Sequence, residues 1–278
     1  MIWAIEPQYI QMACETRQQA TGVAMPEYLE TEQGRRIAYS KHEGKSPTVV
    51  FLGGFKSDME GSKATYLEDW ARRNGQSYLR FDYSGHGQSS GSFTDGCIGD
   101  WTEDSEAALR ALTEGPLVLI GSSMGGWILL LLAKRLAERI VGVLTIAAAP
   151  DFTQDSMWPS LSEKQQDEIM TKGVTLLPSE YGDPYPITRK LIEDGKNHLV
   201  LQEPLRVKFP VRMLQGSLDS SVSRATALNM FDHFEAADLQ LNLIKGGDHS
   251  LSTFDCLEII KRSLRDLLNV ADASIEEF

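Results

Sequence analysis

Cysteine is scarce in this 278-residue chain: Cys14, Cys97 and Cys256 are three in number and widely spaced. They supply neither the even-numbered framework of a disulfide-stapled domain nor the paired spacing of a zinc site. Bases are outnumbered, with 27 Lys and Arg against 39 Asp and Glu, for a formal charge of −12. A nucleic-acid backbone or an anionic membrane surface needs a basic footprint, so neither is expected as a partner. Long apolar runs are missing too. The most apolar, Trp127 to Ala133, falls far short of the roughly 20 residues that a membrane span requires. The first 25 residues hold Glu6, Glu15 and one base, Arg17. That pattern is neither a secretory signal nor an Arg-rich, acid-poor presequence. A cytoplasmic protein is the expectation.

What is present reads as one large soluble domain, with 42% hydrophobic and 24% charged residues. Six short apolar runs read as buried strands: Thr48–Leu52, Ser77–Phe81, Pro116–Ile120, Ile140–Ala147, Val211–Gln215 and Leu239–Ile244. Amphipathic segments near 61–74, 100–114, 124–138, 223–235 and 253–269 read as helices between them. Strands apolar on both faces and separated by helices imply a mostly parallel sheet covered on both sides. Residues 151–206 break this rhythm. The stretch is polar, rich in helix-like sequence, carries Pro159, Pro178, Pro184 and Pro186, and scatters Phe152, Met157, Trp158, Met170, Tyr181 and Tyr185. It is expected as a helical cap inserted before an acid-bearing strand. The divisions are therefore an N-terminal extension at 1–25, a core at 26–150 and 207–278, and the cap at 151–206.

Gly121-Ser122-Ser123-Met124-Gly125-Gly126 contains Gly-x-Ser-x-Gly directly after an apolar strand and at the start of an apolar helix. A nucleophilic serine needs this context, because a sharp strand-to-helix turn lifts its hydroxyl above the sheet, and glycines on either side avoid a clash. The N–H of Met124, at the helix start, can help hold an oxyanion. A serine in an ordinary glycine-rich turn is the competing reading. In a hydrolase of this architecture the acid and then the histidine follow the serine in the chain. Asp219 follows the strand Val211–Gln215 and is the candidate acid. Two alternatives stay open: Asp219 as a simple helix cap, and Asp151, after the preceding strand, as the acid. Of the five histidines, His249 lies in the glycine-rich loop after the last strand, free to reach Ser123. Gly53-Gly54-Phe55 follows the first strong strand, and the N–H of Phe55 is the candidate second oxyanion donor. Asp82 and His86 read as scaffolding in the next strand-end loop.

With these residues in place, the chain resembles the α/β-hydrolase family that contains a mitochondrial palmitoyl-protein thioesterase, also described as an acyl-glucuronide esterase, and its bacterial relatives. The likeness rests on Phe51 to Met59 with Gly61-Ser62-Lys63-Ala64, on Arg80 to Gly87, on Gly121 to Trp127, and on Tyr185-Pro186-Ile187-Thr188-Arg189 with Leu191 to Gly195. The resemblance implies an α/β-hydrolase fold and a triad of Ser123, Asp219 and His249, with Gly54 and Phe55 supporting the oxyanion. The expected activity is hydrolysis of carboxylic ester or thioester bonds through an acyl-enzyme, on a small acyl ester, a thioester or an acylated peptide. Gly54, Trp158 and Tyr185 are the candidate substrate-binding residues, and neither cofactor nor metal is implied. The alternatives are a C–C bond hydrolase or perhydrolase on the same fold, and a non-catalytic ligand-binding relative. One departure is visible. Where the family leads one to expect a Pro- or Trp-bearing turn after the acid, this chain has Ser220-Ser221-Val222-Ser223, which alters the pocket wall.

Overall fold

The computed structural model describes residues 26–178 and 184–276; the extension expected at 1–25, and Tyr181, lie outside the described residues. The chain opens with strands β1 (Glu27–Glu30), β2 (Arg36–His42) and β3 (Lys45–Leu52). Helix α1 (Ser62–Asn74), β4 (Gln76–Phe81), α2 (Ile98–Leu112), β5 (Leu117–Ser122), α3 (Met124–Arg135) and β6 (Ile140–Ile146) follow. The inserted segment contributes α4 (Glu163–Lys172), β7 (Val174–Leu177), β8 (Tyr185–Thr188) and α5 (Arg189–Gly195). The chain then runs through β9 (Leu205–Arg206), β10 (Val211–Gly216), α6 (Arg224–His233), β11 (Phe234–Glu235), β12 (Leu239–Ile244) and α7 (Phe254–Glu276).

Eight strands form the central sheet in the order β1-β2-β4-β3-β5-β6-β10-β12. Its strands run parallel from β4 to β12, while β2 and β1 run antiparallel at one edge. The side-chain period of two explains the two cores. Val50, Leu52, Leu117, Leu119, Val143, Val211 and Met213 point to one face, where α2 and α3 cover them. Val49, Phe51, Val118, Ile120, Leu144 and Leu214 point to the other, beneath α1 and α7. Strands sandwiched in this way have no polar face, which is why they read as continuous apolar runs. Helix α3 is buried on every side from Met124 to Ala133. Each fully buried Leu or Ile there contributes about 1.5–3 kcal/mol.

The edge strands β1 and β2 were not expected. Glu27–Glu30 is mostly exposed, so it lacks the apolar signature of the central strands. The cap likewise holds an antiparallel hairpin, β7 with β8, beside its helices. In β7 only Thr175 is buried, and four residues are too few to register a period. Helix α4 is clearer. Ser162 and Gln165 form a capping box, and Gly173 ends the helix at φ 85°. Leu161, Ile169, Ile187 and Ile192 make a small cap core of their own. Among the described residues, no helix is long and apolar enough to cross a membrane.

Candidate active site

Ser123 stands at the junction of β5 and α3 with φ 53° and ψ −119°, a conformation that a non-glycine residue holds only when its surroundings impose it. Three backbone bonds impose it. Ser123 donates its N–H to Ile146 at 2.9 Å, and its carbonyl accepts from Gly126 at 2.8 Å and Ala149 at 3.0 Å. The flanking glycines are sterically required. A Cβ on Gly121 would run into the Gly125 carbonyl, and one on Gly125 into the Leu52 carbonyl.

The loops after β10 and β12 bring the other two polar groups to this point. Gly216 packs so closely on Gly247 that a Cβ would strike its carbonyl. Leu218 donates its N–H to the same carbonyl at 2.8 Å, and Gly246 donates to Ser217 Oγ at 2.9 Å. Half-buried Lys63 reaches from α1 to donate to the Ser250 carbonyl at 2.5 Å. The joined loops set His249 Nδ1 at 2.9 Å from Asp219 Oδ2, and His249 Nε2 at 3.1 Å from Ser123 Oγ. With Asp219 ionised, Nδ1 carries the proton and donates, leaving Nε2 to accept from the serine hydroxyl.

The Asp219 side chain is 0% exposed. Burial works to raise its pKa, but the bonds from His249, Val222 and Ser221 outweigh it and hold the carboxyl below its usual value. Gln215 Nε2 adds a donor at 2.9 Å, and the Ser221 and Val222 N–H groups each reach Oδ1 at 2.8 Å. Gln215 was not singled out from the sequence. The signal was a lone amide at the end of an apolar strand, four residues before the acid.

Asp151 is equally buried but faces elsewhere. Its carboxylate accepts from the N–H groups of Val200 and Leu201 at 2.9–3.1 Å, tying the end of the cap to the core. Burial raises its pKa despite those bonds. Asp82 accepts from Met59 at 2.7 Å and Gln88 at 2.8 Å, joining two strand-end loops. Gly54 lies directly against the serine: a Cβ there would stand 3.4 Å from Ser123 Cβ. Phe55 follows it, and Met124 opens α3, where first-turn N–H groups have no intrahelical acceptor.

A cavity of about 640 Å³ opens over Ser123 and His249. Its lining includes apolar Phe55, Phe152, Met157, Leu177, Tyr185 and Ile187 together with polar Asp155, Ser156, Ser160, Ser220, Ser221, Ser223 and Thr226. Of the cap residues named from the sequence, Phe152, Met157 and Tyr185 face this space. Trp158 does not line it and packs instead on the cap core. Met170 is turned outward, 43% exposed. Leu177 and Ile187 also line the cavity, and as single aliphatic residues in four-residue strands they carry no pattern that separates a pocket position from a packing one.

Comparison with known proteins fits this architecture. The model of the alpha/beta hydrolase family matches residues 49–251. The palmitoyl-protein thioesterase ABHD10, mitochondrial, of Bos taurus is 34% identical over 237 residues, covering 84% of this chain and 76% of the relative. A crystal structure from Agrobacterium vitis S4 superposes with a TM-score of 0.84 at 36% identity, covering 87% of this chain and 98% of that one. The alpha/beta hydrolase domain-containing protein 10 from mouse gives 0.81 at 31%, covering 88% and 99%. The mammalian relatives are named as mitochondrial proteins, and this overturns the cytoplasmic expectation. Net charge governs which polyanions a chain attracts and carries no cellular address. With the family model running from β3 to two residues past His249, and curated relatives aligned over more than four-fifths of its length, this chain belongs to the α/β-hydrolase family.

Proposed function

We propose that the chain is a serine hydrolase cleaving carboxylic ester or thioester bonds of acyl substrates through an acyl-enzyme. One observation carries the reading: hydrogen bonds run unbroken from Ser123 Oγ through both ring nitrogens of His249 to Asp219. In this scheme His249 Nε2 takes the serine proton as Oγ attacks the acyl carbonyl. The N–H groups of Met124 and Phe55 stabilise the developing oxyanion, and such donors are worth about 10²–10³ each in rate. His249 then protonates the departing alkoxide or thiolate, and water repeats the sequence on the ester of Ser123. Asp219 holds the ring tautomer and offsets the imidazolium charge. The thioesterase name of the mammalian relatives favours S-acyl substrates, and the apolar part of the cavity lining suits the acyl chain.

The test is labelling with a fluorophosphonate probe alongside p-nitrophenyl ester turnover. The parent protein should label and turn over, and Ser123→Ala should stay folded with neither activity above background. Normal turnover in Ser123→Ala would overturn the assignment. A parent protein that neither labels nor hydrolyses any ester would favour the ligand-binding alternative.

A further inference from the structure

The end of β4 and the turn after it lie along the loop 53–59 that carries Gly54 and Phe55, and grip it at three points. At one end Asp82 accepts the Met59 N–H at 2.7 Å while Arg80 donates to the Met59 carbonyl at 2.8 Å. At the other end Tyr83 Oη donates to the Gly53 carbonyl at 3.1 Å. The middle is closed on itself by Ser57, whose N–H and Oγ donate to the Gly54 carbonyl at 3.2 and 2.9 Å, and is held from outside by the bond from the backbone N–H of Lys56 to Nε2 of His86, at 3.2 Å. The opposite nitrogen, Nδ1, lies 3.2 Å from the Ser84 carbonyl. A carbonyl can only accept, so the proton sits on Nδ1 and Nε2 is left as the acceptor.

Everything around His86 keeps the ring in that state. It is 3% exposed and meets the rings of Tyr83, Phe93 and Trp101 edge-on at centroid distances of 5.0–5.4 Å. Burial lowers its pKa to about 4, so it is neutral at ordinary pH. The residue it holds needs holding: Lys56 has φ 56°, a left-handed conformation that a lysine leaves unless its surroundings fix it. That conformation sets how the preceding residue, Phe55, is presented to Ser123.

We infer that His86 is a positioning residue for the oxyanion site, fixing Lys56 so that the Phe55 N–H faces the charge that develops above Ser123. The inference rests on the serine-hydrolase reading and extends it to a group that touches neither substrate nor triad. A donor aimed at charge that appears only in the transition state affects kcat and leaves ground-state binding alone.

Two variants separate this role from general support. His86→Phe keeps an aromatic ring among Tyr83, Phe93 and Trp101 but offers no acceptor. His86→Gln offers an amide oxygen without the ring. Per active site, counted by end-point fluorophosphonate labelling, His86→Phe should lower kcat about 10- to 100-fold, less than deletion of a donor outright, with KM within about twofold. Binding of a trifluoromethyl ketone, which adds Ser123 to form a tetrahedral oxyanion, should weaken by the same factor as kcat/KM. Binding of the product carboxylic acid should not change, and His86→Gln should recover most of the lost kcat. The proposal is overturned if kcat per site is unchanged in His86→Phe. It is equally overturned if KM and product affinity worsen in step with kcat, or if Gln is no better than Phe. If Ser123→Ala is inactive while His86→Phe keeps full kcat, only the role of His86 fails. Turnover surviving in Ser123→Ala would mean that the underlying reading has failed.

Discussion

Asp219 and Asp151 both follow strands of the sheet and are both shielded from solvent, yet their donors differ. Asp219 receives a side-chain bond from His249, whereas Asp151 receives backbone bonds from Val200 and Leu201. Asp219→Asn should therefore lower kcat by about 10⁴ through loss of the histidine tautomer. Asp151→Asn should leave kcat within a few-fold but lower the melting temperature by several degrees, since bonds to a charged acceptor contribute about 1.5–3 kcal/mol. Steady-state kinetics and thermal melts on the pair decide it, and a reversed pattern would move the acid to Asp151. The sequence left both open for a physical reason: each is a carboxylate just past a strand, and chain order admits either. The Gly-x-Ser-x-Gly turn was legible because its glycines answer a local clash. Gln215 was not, because its task depends on where the next loop folds.

At the scale of elements, the central strands and flanking helices were legible from apolar runs, since a sheet buried on both faces writes itself into every residue. The cap was legible only as an interruption. Its hairpin has four-residue strands and leans on partners elsewhere in the chain, so local pattern carries little of it. The consequence is functional, since Leu177 and Ile187 of that hairpin, with Met157 and Tyr185, belong to the apolar lining of the cavity. Across p-nitrophenyl esters of two to sixteen carbons, kcat/KM should rise with acyl length. The gain should stay below about fourfold per CH₂, the equivalent of 0.8 kcal/mol, until the cavity is filled. Met157→Asp should flatten that rise while changing acetyl turnover little. A maximum at acetyl with a steady fall thereafter would rule out an acyl site beneath the cap.

Across the whole molecule, the −12 charge coexists with buried groups that resist ionisation, and the two meet in the pH dependence of stability. His86 titrates near 4 in the folded protein because burial disfavours the imidazolium, whereas an unfolded histidine titrates near 6.5. His233 is lowered as well, chiefly by burial. Between about pH 6.5 and 4 the unfolded chain thus takes up protons that the folded protein refuses. The histidine contribution to stability falls as pH falls through that window, by up to about 1.4 kcal/mol per pH unit for each such proton. Asp82, Asp104 and Asp151, whose pKa burial raises, act with the opposite sign. Asp219 acts with the sign of the histidines further down: its folded pKa is below its ordinary value, so its contribution is present above the unfolded carboxyl range and lost on acidification. Urea unfolding of the parent and of His86→Phe at pH 7, 6, 5 and 4 isolates the histidine part of that fall. In His86→Phe the drop between pH 6.5 and 4 should be shallower by one proton's worth, while the fall below pH 4 stays as steep as in the parent. Parallel curves for parent and variant across the upper window would mean that His86 accepts a proton in the folded state as readily as in the unfolded one. The ring could not then serve as a permanent acceptor for Lys56.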